Sequence, residues 1–123
     1  MLTAMLWGLL MHEMSLCEGV IQLIEQQADE EQFNKVTTVW LEIGALAGVE
    51  SEAMRFSFDA IARGTIADAA RLEIIHVQGR GECPTCKHQT LVSARFDLCP
   101  ECGHYPLNIL AGEEMRIKEL EVQ

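Results

Sequence analysis

Hydrophobic positions recur along the first third of the chain with the spacing of an α-helix. From Met11 onward one stripe of apolar residues can be drawn on a helical wheel: Leu16, Val20, Leu23, Ile24 and Ala28. This spacing predicts an amphipathic helix with one buried side. Ser15 and Glu18 have the relation of a capping box, so we expect the helix to begin there and to end near Glu31.

The pattern then alternates between strands and one further helix. Residues 36–46 place apolar side chains at every second position, which predicts a strand. A helical period returns after Ser51, a residue type suited to capping a helix N-terminus. Residues 71–78 and 114–122 alternate again and predict two more strands.

The order helix, strand, helix, strand, cysteine-rich segment, strand predicts an α+β fold. We expect a small mixed three-stranded sheet packed with two helices, because strand–helix–strand connections favour a parallel crossover. A cysteine-rich domain at residues 79–107 is then an insertion into an α/β domain of residues 11–78 and 108–123. Residues 1–10 form an apolar N-terminal extension.

Four cysteines near the C-terminus form two C-x-x-C pairs with twelve residues between them: Cys83, Cys86, Cys99 and Cys102. Two such pairs can place four thiolates tetrahedrally around one ion, a geometry that Zn²⁺ accepts without redox chemistry. The fifth cysteine, Cys17, lies in the first predicted helix and is interpreted as a core residue. An unpaired cysteine beside a thiolate site favours a reducing, cytoplasmic environment.

Charge and length limit the classes of partner. Nine basic and nineteen acidic residues leave a net charge of −10 in 123 residues, which argues against a nucleic-acid partner. Residues 1–10 are strongly apolar but too few to span a bilayer, and they lack the basic start of a signal peptide. Such a segment can instead promote self-association, so a homodimer is one hypothesis.

Three parts of the chain together resemble one known family. Met11-His12-Glu13 with the capping box behind it, the segment 39–45 and the double C-x-x-C framework are similar to the HypA/HybF family. These are nickel metallochaperones of [NiFe]-hydrogenase maturation. The resemblance extends from residue 11 to about residue 122, and its specific parts are the Met-His-Glu opening and the cysteines.

The resemblance implies a nickel site separate from the zinc site. His12 supplies its imidazole and its own backbone nitrogen, and Glu13 lies in or beside the coordination sphere. Met11 contributes an amine only if it is the first residue, whereas ten residues precede it here. We interpret these ten as a start misassignment rather than as a functional extension. Glu50 is either a further carboxylate for nickel or a charge at a helix N-terminus.

Further expectations follow from the resemblance. Transfer of nickel implies a HypB-type GTPase and the [NiFe]-hydrogenase large subunit as partners, and some relatives also serve urease maturation proteins. The sequence does not choose between these acceptors.

His88 and His104 each follow the second cysteine of a pair by two residues, and they either replace a thiolate in one state or stay outside the coordination sphere.

Other functions remain as alternatives. A zinc ribbon can bind nucleic acid or protein, but basic and acidic charges cancel within residues 79–107. A rubredoxin-like module would hold iron in the four thiolates and transfer electrons. We find no nucleophile–base pair and no phosphate-binding glycine loop, so we do not expect an enzyme.

Overall fold

A computed structural model describes the backbone of residues 2–123 and the side chains of residues 12–123. Two helices and six strands follow one another in the order α1 (Leu2–Glu31), β1 (Val36–Gly44), α2 (Ser51–Ala62), β2 (Arg71–Val77), β3 (Gly79–Glu82), β4 (Gln89–Val92), β5 (Asn108–Ala111) and β6 (Met115–Val122). Within this described part, no helix is long and apolar enough to cross a membrane.

The predicted α+β class with a mixed three-stranded sheet and two helices is confirmed. This sheet has the order β2-β1-β6. The amide of Ala45, just after β1, bonds the carbonyl of Val77 at the end of β2, so these two strands run parallel. The amide of Gln123 instead bonds the carbonyl of Lys35, just before β1, which makes β6 antiparallel to β1.

The chain forms two compact units. The first comprises the residues up to Leu41 together with Val49–Glu73 and Ile117–Gln123, and the second comprises Glu42–Gly48 and Ile74–Arg116. The first unit contains both helices, and the second contains a three-stranded antiparallel sheet of order β4-β3-β5. The domain boundaries expected from the sequence, with an extension at 1–10 and an insertion at 79–107, stay predictions.

Helix α1 begins earlier than the sequence pattern indicated. It runs without interruption from Leu2 to Glu31, so the expected start at Ser15 is wrong and the expected end at Glu31 is right. The capping box fails as a start signal because the residues before Ser15 continue the helix and leave no free amides there to cap.

The buried stripe of α1 is rotated from the predicted one. Cys17 and Ile21 are buried, whereas Leu16 is half-buried and Leu23 is 57% exposed. The rotation follows from the packing against α2, because the Cys17 Sγ lies 3.7 Å from the Met54 Sδ. The rest of the stripe is as predicted. On the side of β1 that alternation predicts to be buried, Val39, Leu41 and Ile43 are buried, whereas Ala45 lies just past the strand and is exposed.

Helix α2 is capped one residue earlier than expected. Glu50, not Ser51, is the N-cap residue, and its carboxylate accepts a 2.7 Å hydrogen bond from the Ala53 amide. Met54, Phe58 and Ala62 are buried, in agreement with the helical period expected after Ser51.

Three glycines meet within the second unit. Gly112 has a φ of +96°, and a Cβ on it would lie 2.6 Å from the Cα of Gly79. A Cβ on Gly44 would collide with the carbonyl group of Gly112. Only glycine fits at these positions, because the end of β1, the start of β3 and the turn after β5 touch through their backbones.

Candidate metal centres

The two C-x-x-C segments fold into loops of the same geometry. In the first, the Cys83 amide bonds the His88 carbonyl at 2.9 Å, and in the second the Cys99 amide bonds the His104 carbonyl at 3.0 Å. Each loop then turns back so that the residue after its second cysteine donates to the carbonyl of its first cysteine. Two such knuckles present two pairs of thiols from short, hydrogen-bonded turns.

The residue after each second cysteine has a left-handed backbone. Gly103 has a φ of +76°, and Lys87 in the equivalent position of the first knuckle has a φ of +66°. Glycine adopts this conformation without steric cost, whereas a side chain with a Cβ does not. The first knuckle therefore carries a strain that the second lacks.

The knuckles bring all four predicted thiols together. The Sγ atoms of Cys83, Cys86, Cys99 and Cys102 all lie within 4.8 Å of one another. Two of the separations, Cys83 to Cys102 and Cys86 to Cys99, are 3.6 Å. A tetrahedron of thiolates at the usual Zn–S distance of about 2.3 Å has S···S separations of about 3.8 Å. The group has the size and the donor atoms to hold one such ion.

Backbone amides prepare one thiol of each knuckle for ionisation. The N–H of Cys86, with that of Thr85, lowers the pKa of Cys83 to about 6. The N–H of Cys102 likewise lowers the pKa of Cys99. The pKa of Cys102 is raised to about 12, because the N–H of His104 is outweighed by the neighbouring thiols and by burial. A divalent cation supplies the positive charge that lets all four ionise together.

Two of the four cysteines are buried in the interior of the second unit, and the other two lie at its surface. Cys83 and Cys99 are buried in its hydrophobic cluster, whereas Cys86 and Cys102 are exposed. The other members of that cluster are Leu46, Val92 and Leu107, with Ile109 packed against them. Across the part of the chain whose side chains are described, these four cysteines are the one group of three or more candidate ligands within reach of a single ion.

The structure also brings His12 and Glu13 together. The Nδ1 atom of His12 lies 3.3 Å from the Oε1 atom of Glu13, and the His12 side chain is 49% exposed. Glu13 is completely buried, and its Oε2 accepts a hydrogen bond from the Glu50 amide at 3.4 Å. The exposed imidazole of His12 thus lies next to a buried carboxylate whose other oxygen is held by the Glu50 amide.

The sequence leaves two roles open for Glu50. Its carboxylate is engaged with the Ala53 amide at the start of α2, and its own amide holds Glu13. The capping alternative therefore describes its position in the structure, and its backbone contact to Glu13 was not predicted. That contact joins two helices, and no local signal in the sequence could have indicated it.

The remaining candidates lie as follows. The side chain of Met11 is outside the described residues, and its backbone nitrogen is a peptide nitrogen inside α1. His88 and His104 contribute backbone carbonyls to the knuckles, and the His88 Nε2 lies 4.0 Å from the Glu101 Oε1. Cys17 is buried against Met54, and burial, together with the charge of Glu13, raises its pKa to about 12. Such a thiol is inert, in agreement with its interpretation as a core residue.

Comparison with known proteins gives one consistent result. The family model described as "Hydrogenase/urease nickel incorporation, metallochaperone, hypA" matches residues 11–122. A "Hydrogenase maturation factor HypA" of Azotobacter chroococcum mcd 1 is 50% identical over 113 residues, which are 92% of this chain and 100% of that relative. A protein of the same name from Albidiferax ferrireducens is 55% identical over the same shares.

Solved structures agree with this result. The solution structure of the Ni metallochaperone HypA from Helicobacter pylori matches with a TM-score of 0.68 and 26% identity, over 89% of this chain and 96% of that one. A second solution structure of a HypA protein matches with a TM-score of 0.65 and 26% identity, over 92% of this chain and 97% of that one.

Proposed function

Since the chain belongs to the HypA family of hydrogenase/urease nickel-incorporation metallochaperones, we propose that it carries Ni²⁺ on His12 and Glu13 for insertion into [NiFe]-hydrogenase. The family consists of metal carriers, so this protein is a maturation factor and not an enzyme. Zn²⁺ is bound separately by Cys83, Cys86, Cys99 and Cys102 and has a structural role.

The contact between His12 and Glu13 is the observation that carries the nickel proposal. An exposed imidazole lets cargo arrive and leave, and the buried carboxylate beside it supplies charge and an oxygen donor. Ni²⁺ accepts such nitrogen and oxygen donors in square-planar or octahedral geometry. Without a cage of thiolates these donors favour exchange over permanent retention, which suits a protein that must hand its metal on.

The helical backbone of α1 determines whether the nitrogen of Met11 can act as a third donor to nickel. Peptide nitrogens at residues 11 and 12 lie inside the helix, where N–H groups are used in hydrogen bonds to carbonyls four residues earlier. In a chain that starts at Met11 the amine is free and the first amides of the helix are unpaired. The full chelate of the Met11 amine, the His12 amide nitrogen and the imidazole therefore belongs to that shorter form.

Zinc has a different task. Four thiolates close the coordination sphere of a structural zinc site and leave no position for substrate. Bound zinc supplies a fixed cross-link between the two knuckles. The residues of this chain prepare the site through the amides that lower the pKa values of Cys83 and Cys99.

The finer details of the pathway are part of the proposal. A HypB-type GTPase and the hydrogenase large subunit are the partners, with urease maturation proteins as alternative acceptors, and the protein acts in the cytoplasm, either alone or as a homodimer. A zinc-ribbon or rubredoxin-like module alone would account for residues 79–107, whereas the family match covers residues 11–122. We therefore do not retain those alternatives.

Calorimetric titration of Ni²⁺ into zinc-loaded protein tests the nickel site. Two forms are compared, one beginning at Met1 and one at Met11, each with His12→Ala and with His76→Ala as the matched control, because His76 is an exposed histidine on β2. We expect tight binding of one equivalent in the shorter form, loss on His12→Ala and no change on His76→Ala. Stoichiometric binding that survives His12→Ala contradicts the proposal.

A further inference from the structure

A cavity of about 600 Å³ lies within the second unit, and its lining includes none of the proposed metal ligands. Six consecutive residues, 109–114, contribute to its lining together with Glu42, Val77 and Arg116. Its volume is in the range of cavities that bind small molecules or the side chains of a partner. None of its lining residues has a role in nickel or zinc binding, so the cavity calls for a separate explanation.

The cavity follows the edge of a strand rather than one face of a sheet. Successive side chains of a strand point to opposite faces, so a cavity on one face would touch every second residue. Here Ile109, Leu110 and Ala111 of β5 all line it. In the sheet β4-β3-β5, β5 is an outer strand and pairs with β3 alone. Its second backbone edge is therefore available as a template for another extended chain.

Side chains around this edge combine apolar surface with acidic charge. Leu110 is 51% exposed and offers an apolar contact. Glu42, Glu113 and Glu114 place three carboxylates in the lining with the guanidinium of Arg116, and Arg95 from outside the lining pairs with Glu113 at 3.2 Å. Arg116 is paired with Glu42 at 3.0 Å. The Glu114 carboxylate is exposed, and its negative charge helps to raise the pKa of Arg116 after the larger effect of Glu42.

We propose that β5 binds an extended segment of a partner protein in which lysine or arginine alternates with β-branched apolar residues. The backbone of that segment pairs with the outer edge of β5, which is the mode called strand addition. Its apolar side chains contact Leu110 on one face, and its basic side chains meet the carboxylates of Glu113 and Glu114. This surface is an addition to the proposed nickel function, and it does not depend on the metal carried.

The test uses the full zinc-loaded chain, labelled with ¹⁵N, and two synthetic peptides. One has the sequence Ac-Lys-Val-Lys-Val-Lys-NH₂, and the matched control replaces each lysine by glutamate. We expect the basic peptide to shift amide resonances of residues 108–114 and to slow their hydrogen exchange, since pairing protects outward amides. The effect weakens as salt rises, because the partner charges are exposed.

Two variants distinguish binding of the peptide at the cavity from general electrostatic attraction to an acidic protein. Glu114→Gln removes one carboxylate from the lining and is expected to weaken peptide binding about threefold, the size of an exposed ion pair. Glu119→Gln removes another exposed charge, on β6, and serves as the control, with no change expected. Both variants are first checked for full zinc content.

Four results would overturn the proposal. The first is resonance shifts centred outside residues 108–114, and the second is equal binding of the basic and the acidic peptide. The third is a shift of the β5 amides that depends on protein concentration without any peptide, because it would identify a second copy of the chain as the occupant. Equal losses in Glu114→Gln and Glu119→Gln would likewise show that net charge, and not this edge, attracts the peptide.

Discussion

Glu13 and Glu50 are joined through a backbone contact: the buried Oε2 of Glu13 accepts a hydrogen bond from the Glu50 amide at 3.4 Å. The contact links α1 to the residue that caps α2. Because the other oxygen of Glu13 faces His12, one carboxylate both ties two helices together and forms the inner wall of the proposed nickel site. Stability and metal binding are thus coupled at Glu13.

The two roles of Glu13 can be separated by substitution. Glu13→Gln keeps an oxygen that can accept from the Glu50 amide but loses the negative charge, so we expect a normal fold and a nickel affinity about tenfold weaker. Glu13→Ala removes the acceptor as well and is expected to cost a further 1–3 kcal/mol, roughly, in the free energy of unfolding. Nickel titration and urea denaturation measure the two effects.

Glu18→Gln provides the control for Glu13, since Glu18 is an exposed glutamate on the same helix. It should leave nickel affinity and stability unchanged. If Glu13→Gln binds nickel as well as the parent protein does, Glu13 has no part in the site.

Removal of zinc should affect the second unit selectively. Cys83→Ser leaves three thiols, and we expect loss of the metal and of dispersed resonances from residues 79–111. The helical circular-dichroism signal should persist, because both helices belong to the first unit. Cys17→Ala is the matched cysteine control: it should keep full zinc content and cost only about 1 kcal/mol, as is typical of a small core change. Full zinc content in Cys83→Ser would refute the four-cysteine site.

The two knuckles predict opposite effects of glycine substitutions. Lys87→Gly should stabilise the second unit by about 1 kcal/mol, because it relieves a left-handed residue that carries a Cβ. Gly103→Ala should destabilise it by a similar amount, about 1 kcal/mol, although nothing lies within 4 Å of the added Cβ. Lys87→Ala keeps the backbone strain and removes the charge, which separates the two contributions of Lys87. Thermal unfolding of the zinc-loaded variants measures all three, and equal stability of Lys87→Gly and Lys87→Ala would contradict the strain argument.

Acid stability should depend on Glu121. The hydroxyl groups of Thr37 and Thr38 hold its carboxylate at 2.7 and 2.9 Å and lower its pKa. Because the folded pKa lies below the unfolded one, the stabilisation is complete above the unfolded value, about 4.3 for glutamate, and is lost as pH falls through the folded value. The melting temperature of Glu121→Gln should be lower than that of the parent at pH 7 and should approach it at pH 3. A difference that stays constant with pH would contradict this.

The sequence predicted those features that arise from short stretches of chain. The four thiol ligands lie in two tight turns, so their spacing alone indicated that they could meet around one ion. The helical and alternating periods located α2, β1, β2 and β6 to within a few residues. The adjacency of His12 and Glu13 also belongs to this class, because neighbouring residues at one point of a helix need no distant contact to approach each other.

Other features depend on distant contacts and could not be read in this way. The start of α1 was missed because a capping box is a local signal that a continuing helix overrides. The strands β3 and β5 have four residues each, and β3 has the sequence Gly-Arg-Gly-Glu, which carries no strand pattern. Their pairing follows from the closing of the knuckles and from the contact between Gly79 and Gly112.

Because Cys83 and Cys99 are buried among Leu46, Val92 and Leu107, an ion held by the four cysteines would become part of the hydrophobic cluster that supports the second unit. A chain without that ion would lack this centre and would expose extended backbone to proteases. Degradation of the protein would then increase when zinc is scarce. The amount of protein would depend on the supply of zinc, although the metal that it is proposed to deliver is nickel.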